Sequence, residues 1–333
     1  VKVGILALTA GGRKLAGTIA AGLKNSHIVD NEGGIAATLA ENWHHYQGFV
    51  CIMAAGIVVR AIAPLLGDKR SDPAVVVVDE KGLHAVSLLS GHLGGGNSLA
   101  GRVSEITGGK AVITTASDIL ELVPLDLWAN AQQLVPASSS VLTAASSLLV
   151  NQGYLRLYSE IEVEELPPGL RRAASVKESD LTISLSPPAQ DQLVLHPRIL
   201  VVGIGCNRGT PLKEFEEALT ELFDQSSLPI QAIRNLASID AKNDEQCLLQ
   251  FARQHDWHID FFSRQEINTV TGIDVSQAAL KAVGAIGVAE PAALLSAQTS
   301  HLFIRKHKWQ NITMAVARAP SSLSAQVQDP SDT

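Results

Sequence analysis

The chain has 333 residues, 46% of them hydrophobic and 18% charged, with a formal net charge of −7. That length exceeds the commonest single domain, and the composition excludes wholesale disorder. The acidic balance and an aromatic share of 4% exclude a broad cationic nucleic-acid surface and an extended base-stacking platform.

The first predicted strand covers 3–8; it reads as a buried strand rather than a signal peptide, because Thr9-Ala10-Gly11-Gly12-Arg13-Lys14 turns polar at once. Strands over 49–53, 74–78, 84–89 and 111–114 then alternate with helices over 14–23, 35–45, 57–66 and 98–107. Such alternation predicts a parallel sheet covered on both faces, with working loops at the carboxyl ends of strands. Glu80-Lys81-Gly82 predicts a hairpin within 74–89, so the sheet is expected to be mixed. Residues 119–197 differ in character, with a helix-like run over 126–134 and a Ser/Ala/Leu segment over 138–150. Residues 154–163 alternate with period two and predict one half-exposed strand that buries Leu155, Leu157, Ile161 and Val163. Alternation resumes at 198–205 and ends in basic strands over 302–308 and 312–318. The expected fold is α/β: two α/β units, 1–118 and 198–318, with mainly parallel or mixed sheets flanked by helices. A smaller α+β segment, 119–197, joins them, and 319–333 is expected to be a disordered tail.

Cys51, Cys206 and Cys247 form no CxxC pair, which suits neither a disulfide framework nor a zinc site and points to a reducing cytosol. No run reaches the roughly 18 apolar residues of a membrane span, so a soluble cytoplasmic protein is expected. His44, His45, His255 and His258 lack metal-ligand partners at useful spacing and read as structural.

Three stretches carry chemistry. Ser90-Gly91-His92-Leu93-Gly94-Gly95-Gly96-Asn97-Ser98 lies between a strand and a helix, where glycines allow a tight backbone whose amides can face an anion. His92 titrates near neutrality and is the candidate general base or ligand contact; a plain connection capped by Asn97 or Ser98 is the bland alternative. In the second stretch, Gly56 stands before a helix whose apolar run Arg60 interrupts, so Arg60 is expected to meet a carboxylate of the protein or of a ligand. Lys69 and Arg70 follow between Asp68 and Asp72. The third is Gly203-Ile204-Gly205-Cys206-Asn207-Arg208-Gly209-Thr210-Pro211, with Thr210 expected as N-cap, Pro211 at N1, and the glycines and Arg208 forming an anion site. Cys206 is expected to be a small buried residue rather than a nucleophile, and Glu290 a cap or ligand contact. Neither a Walker loop nor a GxGxxG fingerprint occurs, which disfavours a nucleotide-using enzyme.

With these residues in view, the chain resembles the CbiG family of cobalamin biosynthesis, the cobalt-precorrin-5A hydrolases. The likeness rests on Ala55-Gly56-Ile57-Val58-Val59-Arg60-Ala61-Ile62-Ala63-Pro64, Lys69-Arg70-Ser71-Asp72-Pro73, Ser87-Leu88-Leu89-Ser90-Gly91-His92-Leu93-Gly94-Gly95 and Val112-Ile113-Thr114-Thr115-Ala116-Ser117-Asp118. It continues through Gly203-Ile204-Gly205-Cys206, Gly209-Thr210, Ala237-Ser238-Ile239-Asp240-Ala241-Lys242 and the 287–294 stretch. Where the family usually reads Cys-Arg-Lys-Gly-Thr, this chain has Cys206-Asn207-Arg208-Gly209-Thr210, one cation fewer.

The resemblance implies a hydrolase that opens the ring A δ-lactone of a cobalt corrinoid and releases acetaldehyde, with water as co-substrate. It implies no cofactor or metal of the enzyme's own, because the substrate carries the cobalt. On that reading His92 and Ser90 are the catalytic candidates. Substrate contacts are expected from Gly56, Arg60, Lys69, Arg70, Gly91, Gly94, Gly95, Gly96, Asn97, Gly205, Arg208, Gly209, Thr210 and Glu290, with the 94–96 amides as oxyanion donors. A non-catalytic corrinoid carrier that contacts neighbouring pathway enzymes is the alternative, and a homodimer is compatible with either. Residues 1–118 carry ten Lys and Arg against nine Asp and Glu, while 119–197 carry four against nine. The acidity thus sits away from the motifs, and a polycarboxylate substrate remains compatible with the net charge.

Overall fold

In the computed structural model, residues 1–68, 71–92 and 94–327 are described. Lys69, Arg70 and Leu93 lie outside the described residues.

The N-terminal part is a six-stranded sheet of β1 (Val3–Ala7), β2 (Ser26–Ile28), β3 (Gly48–Ile52), β4 (Ala74–Val78), β5 (His84–Leu89) and β6 (Lys110–Val112), in the order β2-β1-β3-β4-β5-β6. The β-branched and aromatic runs of β1, β3 and β4 are buried along their whole length, as a sheet covered on both faces requires. Helices α1 (Ala10–Gly22), α2 (Ile35–Asn42), α3 (Ala55–Ile62) and α4 (Gly96–Thr107) supply the cover. One apolar cluster packs Ala16 and Ile19 of α1 and Leu99 and Val103 of α4 on one face; another packs Leu39 of α2 and Val58 of α3 on the other. The predicted hairpin is present: β4 and β5 pair antiparallel, whereas every other neighbour in this sheet is parallel. α1 starts four residues earlier than predicted, because the Thr9 hydroxyl accepts from Gly12 N and lets Gly11 and Gly12 enter the first turn.

Helices α5 (Ala116–Ile119), α6 (Leu125–Ala131) and α7 (Val141–Gln152) lead into a five-stranded sheet. The strands here are β7 (Leu134–Pro136), β8 (Leu155–Ser159), β9 (Glu162–Val163), β10 (Leu170–Arg172), β11 (Leu181–Ile183) and β12 (Val194–Pro197), and the sheet order is β10-β8-β11-β12-β7. The single strand predicted over 154–163 is therefore two. β8 joins this sheet, and β9 leaves it to pair with β18 (Ser322–Leu323). The Ser159 hydroxyl, bonded to both the amide and the carbonyl of Ile161, fixes the break between them.

The third sheet has the order β15-β14-β13-β17-β16, built from β13 (Leu200–Cys206), β14 (Ile233–Ile239), β15 (Ile259–Phe262), β16 (Leu302–Lys308) and β17 (Ile312–Arg318). Helices α8 (Leu212–Gln225), α9 (Gln246–Gln254), α10 (Arg264–Ile267), α11 (Gln277–Val283) and α12 (Ala289–Ala297) accompany it. Phe215, Phe223 and Phe251 of α8 and α9 share one buried cluster with Trp128, Leu149 and Leu181 of the middle segment. The division expected at residue 197 thus runs through a common core rather than along a linker. The expectation of disorder fails for 319–327. Leu323 is fully buried in that core, and Ser324 O accepts from Trp128 Nε1 at 2.8 Å. Among the described residues no helix is long and apolar enough to cross a membrane.

Candidate active site

Because β5 and β6 are parallel, the loops leaving their carboxyl ends meet. Together they line a recess of about 300 Å³ bounded by Ser87, Ser90, His92, Asn97, Thr115 and Asp126. His92 sits between two carboxylates that approach from separate segments. Its Nε2 is 2.9 Å from Asp118 Oδ2, and its Nδ1 is 3.5 Å from Asp126 Oδ1. The Ser117 hydroxyl lies 3.3 Å from Nε2, and Asn97 Nδ2 donates to both Thr115 Oγ1 and Asp118 Oδ2. Asp126 does most to raise the proton affinity of His92, burial opposes it, and Asp118 adds to the rise. A neutral imidazole would turn a lone pair toward one of these carboxylates, whereas an imidazolium donates to both. The arrangement therefore favours a protonated His92 and corrects the expectation of a free general base.

Of the 94–96 amides expected as oxyanion donors, those of Gly95 and Gly96 are consumed by the turn itself, as is that of Asn97. Gly95 N donates to His92 O, Gly96 N to Ser90 O and Asn97 N to Gly91 O, all within 2.8–2.9 Å. The glycines have a steric purpose instead. Gly95 has φ +77°, and a Cβ on Gly96 would stand 2.7 Å from Leu89 O. Neither Asn97 nor Ser98 caps α4, whose N-cap is Gly95 without a side-chain bond. Gly91 and Gly94 close the same turn, with a Cβ on Gly94 falling 2.4 Å from that of Ser90. Ser90 donates its hydroxyl to Asp72 O at 3.0 Å. It therefore ties the 71–73 loop to the recess and is not presented as a nucleophile.

Gly56 and Arg60 do not join this site through their helix start. The antiparallel hairpin reverses the chain, so β3 ends, and α3 begins, at the opposite end of the sheet from the carboxyl end of β5. Gly56 and Arg60 are exposed, and Arg60 Nη1 donates to Gly56 O at 3.0 Å. No carboxylate pairs with Arg60 among the described residues, because a solvated guanidinium carries no burial penalty that demands one. Lys69 and Arg70, expected as substrate contacts, lie outside the described residues.

A second concavity, a cleft of about 730 Å³, opens at the carboxyl ends of β13 and β14 beside the turn from β16 to β17. Gly205, Cys206, Arg208 and Glu290 line it, but Gly209 and Thr210 do not. The predicted anion site at Gly209 is filled by the protein: its amide donates to Glu245 Oε1 at 3.0 Å. Thr210 is buried and donates to Asn207 O, and the N-cap of α8 is Pro211, one residue later than predicted. Arg208 is exposed and paired with Asp244 at 2.9 Å. Glu290 is buried, with Oε2 3.3 Å from Lys306 Nζ and Oε1 accepting from Lys306 N. Burial pushes the Cys206 thiol up to about 11 and that of Cys51 to about 12, so neither is a thiolate nucleophile at neutrality. Among the described residues no cluster of three His, Cys, Asp or Glu could hold a metal ion.

Sequence reasoning did not single out Asp118 or Asp126 as site residues; it reaches Lys242 only as one of the polar groups of 238–242 that follow a strand, a common site position and also a common turn. A signal existed for Asp118, which lies a few residues beyond the carboxyl end of a parallel strand, β6.

The description "Cobalamin synthesis G N-terminal" matches residues 37–118, and "Cobalamin synthesis G C-terminus" matches residues 200–317. A cobalt-precorrin-5A hydrolase of Priestia megaterium is 33% identical over 310 residues, 86% of this chain and 83% of the relative. One from Salmonella typhimurium is 32% identical, over 75% of this chain and 78% of the relative. Among solved structures, a cobalamin biosynthesis protein G homologue from Sulfolobus solfataricus is 21% identical with a TM-score of 0.39, covering 95% of this chain and 97% of that one. CobE, a protein of the cobalamin pathway, is 27% identical with a TM-score of 0.35, over 37% of this chain and 92% of its own. Matched in order by both halves of the family, and by relatives over most of their length, the chain belongs to the cobalamin synthesis G family.

Proposed function

We infer that this chain hydrolyses cobalt-precorrin-5A in cobalamin biosynthesis, opening the ring A δ-lactone and releasing acetaldehyde. The observation that carries this reading is the extended identity to two proteins named cobalt-precorrin-5A hydrolase. The His92 recess offers the acid and base groups such a reaction needs. Attack of water on an ester carbonyl requires a proton acceptor for the water and a proton donor for the departing alkoxide. Asp118, the more exposed of the two carboxylates, takes the water proton; once neutralised it releases the His92 Nε2–H, which protonates the lactone oxygen as the acyl bond breaks while Asp126 keeps the Nδ1 side of the ring. Proton return across the 2.9 Å Asp118–His92 contact restores the site. In the second step the freed alcohol gives its proton to Asp118 and its carbon leaves as acetaldehyde; the electron pair of the broken C–C bond passes into the conjugated macrocycle, which takes up that proton. No resident cofactor enters this scheme, since cobalt belongs to the substrate. A cytoplasmic location suits the three unpaired cysteines.

The test is to incubate the purified chain with cobalt-precorrin-5A and follow acetaldehyde with a coupled dehydrogenase. Release at a rate proportional to enzyme is expected. Corrinoid binding without aldehyde would overturn the hydrolase reading in favour of a carrier.

A further inference from the structure

The C-terminal cleft is lined by a positive charge, Lys242, that Asp244 feels but that no carboxylate pairs with among the described residues. Lys242 ends the short 3₁₀ turn Asp240–Lys242 that follows β14; the residue is only 8% exposed, yet it lines the cleft. Among the described residues no oxygen accepts a hydrogen bond from its Nζ and no carboxylate pairs with it. Neighbouring cations are committed: Arg208 to Asp244 and to Ala241 O, and Lys306 to Glu290 and to Asp274 O. Lys308, exposed on the rim, again has no protein partner among the described residues. Cys206, which lines the same cleft, feels the Lys242 charge, which opposes the rise in its proton affinity from burial. Burying an ammonium without a counter-charge is unfavourable, so a fold that keeps one here has an anion to meet. The wall around it is apolar, formed by Ile239, Ala279, Ala282, Val283, Val288 and Trp309. A buried cation, a second one at the rim and an apolar wall together select an apolar body that carries more than one carboxylate.

We propose that this cleft is a binding site for the carboxylate-bearing edge of a corrinoid, with Lys242 as its buried anchor. The identity of the ligand rests on the hydrolase reading; the carboxylate preference rests on the cleft itself. Lys242 binds here and takes no part in proton transfer, which the His92 recess on another sheet performs.

The experiment titrates the full chain with cobyrinic acid, a cobalt corrinoid bearing free acetate and propionate groups, following tryptophan fluorescence. The Lys242→Met variant is expected to bind about tenfold to a hundredfold more weakly, as loss of a charge-assisted hydrogen bond implies. Lys242→Arg is expected to stay within a few-fold of wild type. The melting temperature of Lys242→Met should equal or exceed that of wild type, because an unpaired buried ammonium adds no stability. A fully amidated corrinoid should bind wild type and Lys242→Met alike. Equal binding of cobyrinic acid by wild type and Lys242→Met, or none by wild type, would overturn the proposal. A chain that binds cobyrinic acid through Lys242 but releases no acetaldehyde from cobalt-precorrin-5A would refute the hydrolase reading and leave this site standing.

Discussion

Replacing His92 with Gln removes a positive charge held between Asp118 and Asp126. The Nε2 contact at 2.9 Å is a full charge-assisted bond, but Asp118 is 36% exposed, so solvent screens it. The Nδ1 contact with Asp126 is longer, at 3.5 Å, but less solvated, and it does most to raise the proton affinity of His92. Together they stabilise the folded chain by about 1–3 kcal/mol. The pH dependence has a definite sign. The proton affinity of folded His92 is raised, so its contribution is complete below the unfolded value of roughly 6.5 and is lost as pH rises through the higher folded value. Urea unfolding followed by circular dichroism should therefore show the largest gap between wild type and His92→Gln near about pH 6 and a small one near about pH 9. Acetaldehyde release by the variant should fall about 10²–10⁴-fold, the usual contribution of a positioned proton donor. A stability gap that grows with pH, or release at the wild-type rate, would refute the imidazolium bridge and its role.

Three further substitutions probe the frame that holds the sites. A Cβ at Gly203 would lie 1.9 Å from Ala289 O, where β13 meets the first turn of α12. Gly203→Ala should accordingly lower stability by about 3 kcal/mol or more, read as loss of soluble protein or of melting temperature. Gly101→Ala, inside α4 with nothing within 4 Å of the added methyl, should instead raise stability by about 0.5–1 kcal/mol in the same assay. Leu323→Ala should cost about 2–5 kcal/mol in urea unfolding, since this residue is fully buried; an unchanged midpoint would show that the 322–323 strand does not dock.

Much of the architecture is legible in the chain because the relevant forces are local. Runs such as Ala74–Val78 and Ile312–Arg318 can bury themselves only as strands, and Gly82, at φ +69°, closes the hairpin that makes the first sheet mixed. The His92 loop was recognisable from glycines that a simple helix cap does not need. The resemblance to cobalamin enzymes rested on long strings in order, and the family match bears it out.

What the sequence by itself determined is the alternation of buried strands and helices, the mixed first sheet, the family, and His92 as the titratable centre of a glycine turn. Tertiary structure decided how those pieces act. It set Gly56 and His92 at opposite ends of one sheet, because a single antiparallel pairing reverses strand direction. It spent the loop amides on the turn itself and brought Asp118 and Asp126, 26 and 34 positions away in the chain, to the two nitrogens of one ring. It also buried Lys242 beside an apolar wall, with no hydrogen-bond or ion-pair partner among the described residues. Propensity and periodicity reach only a few residues along the chain, whereas proton affinity and charge balance depend on whatever the fold brings within about 4 Å.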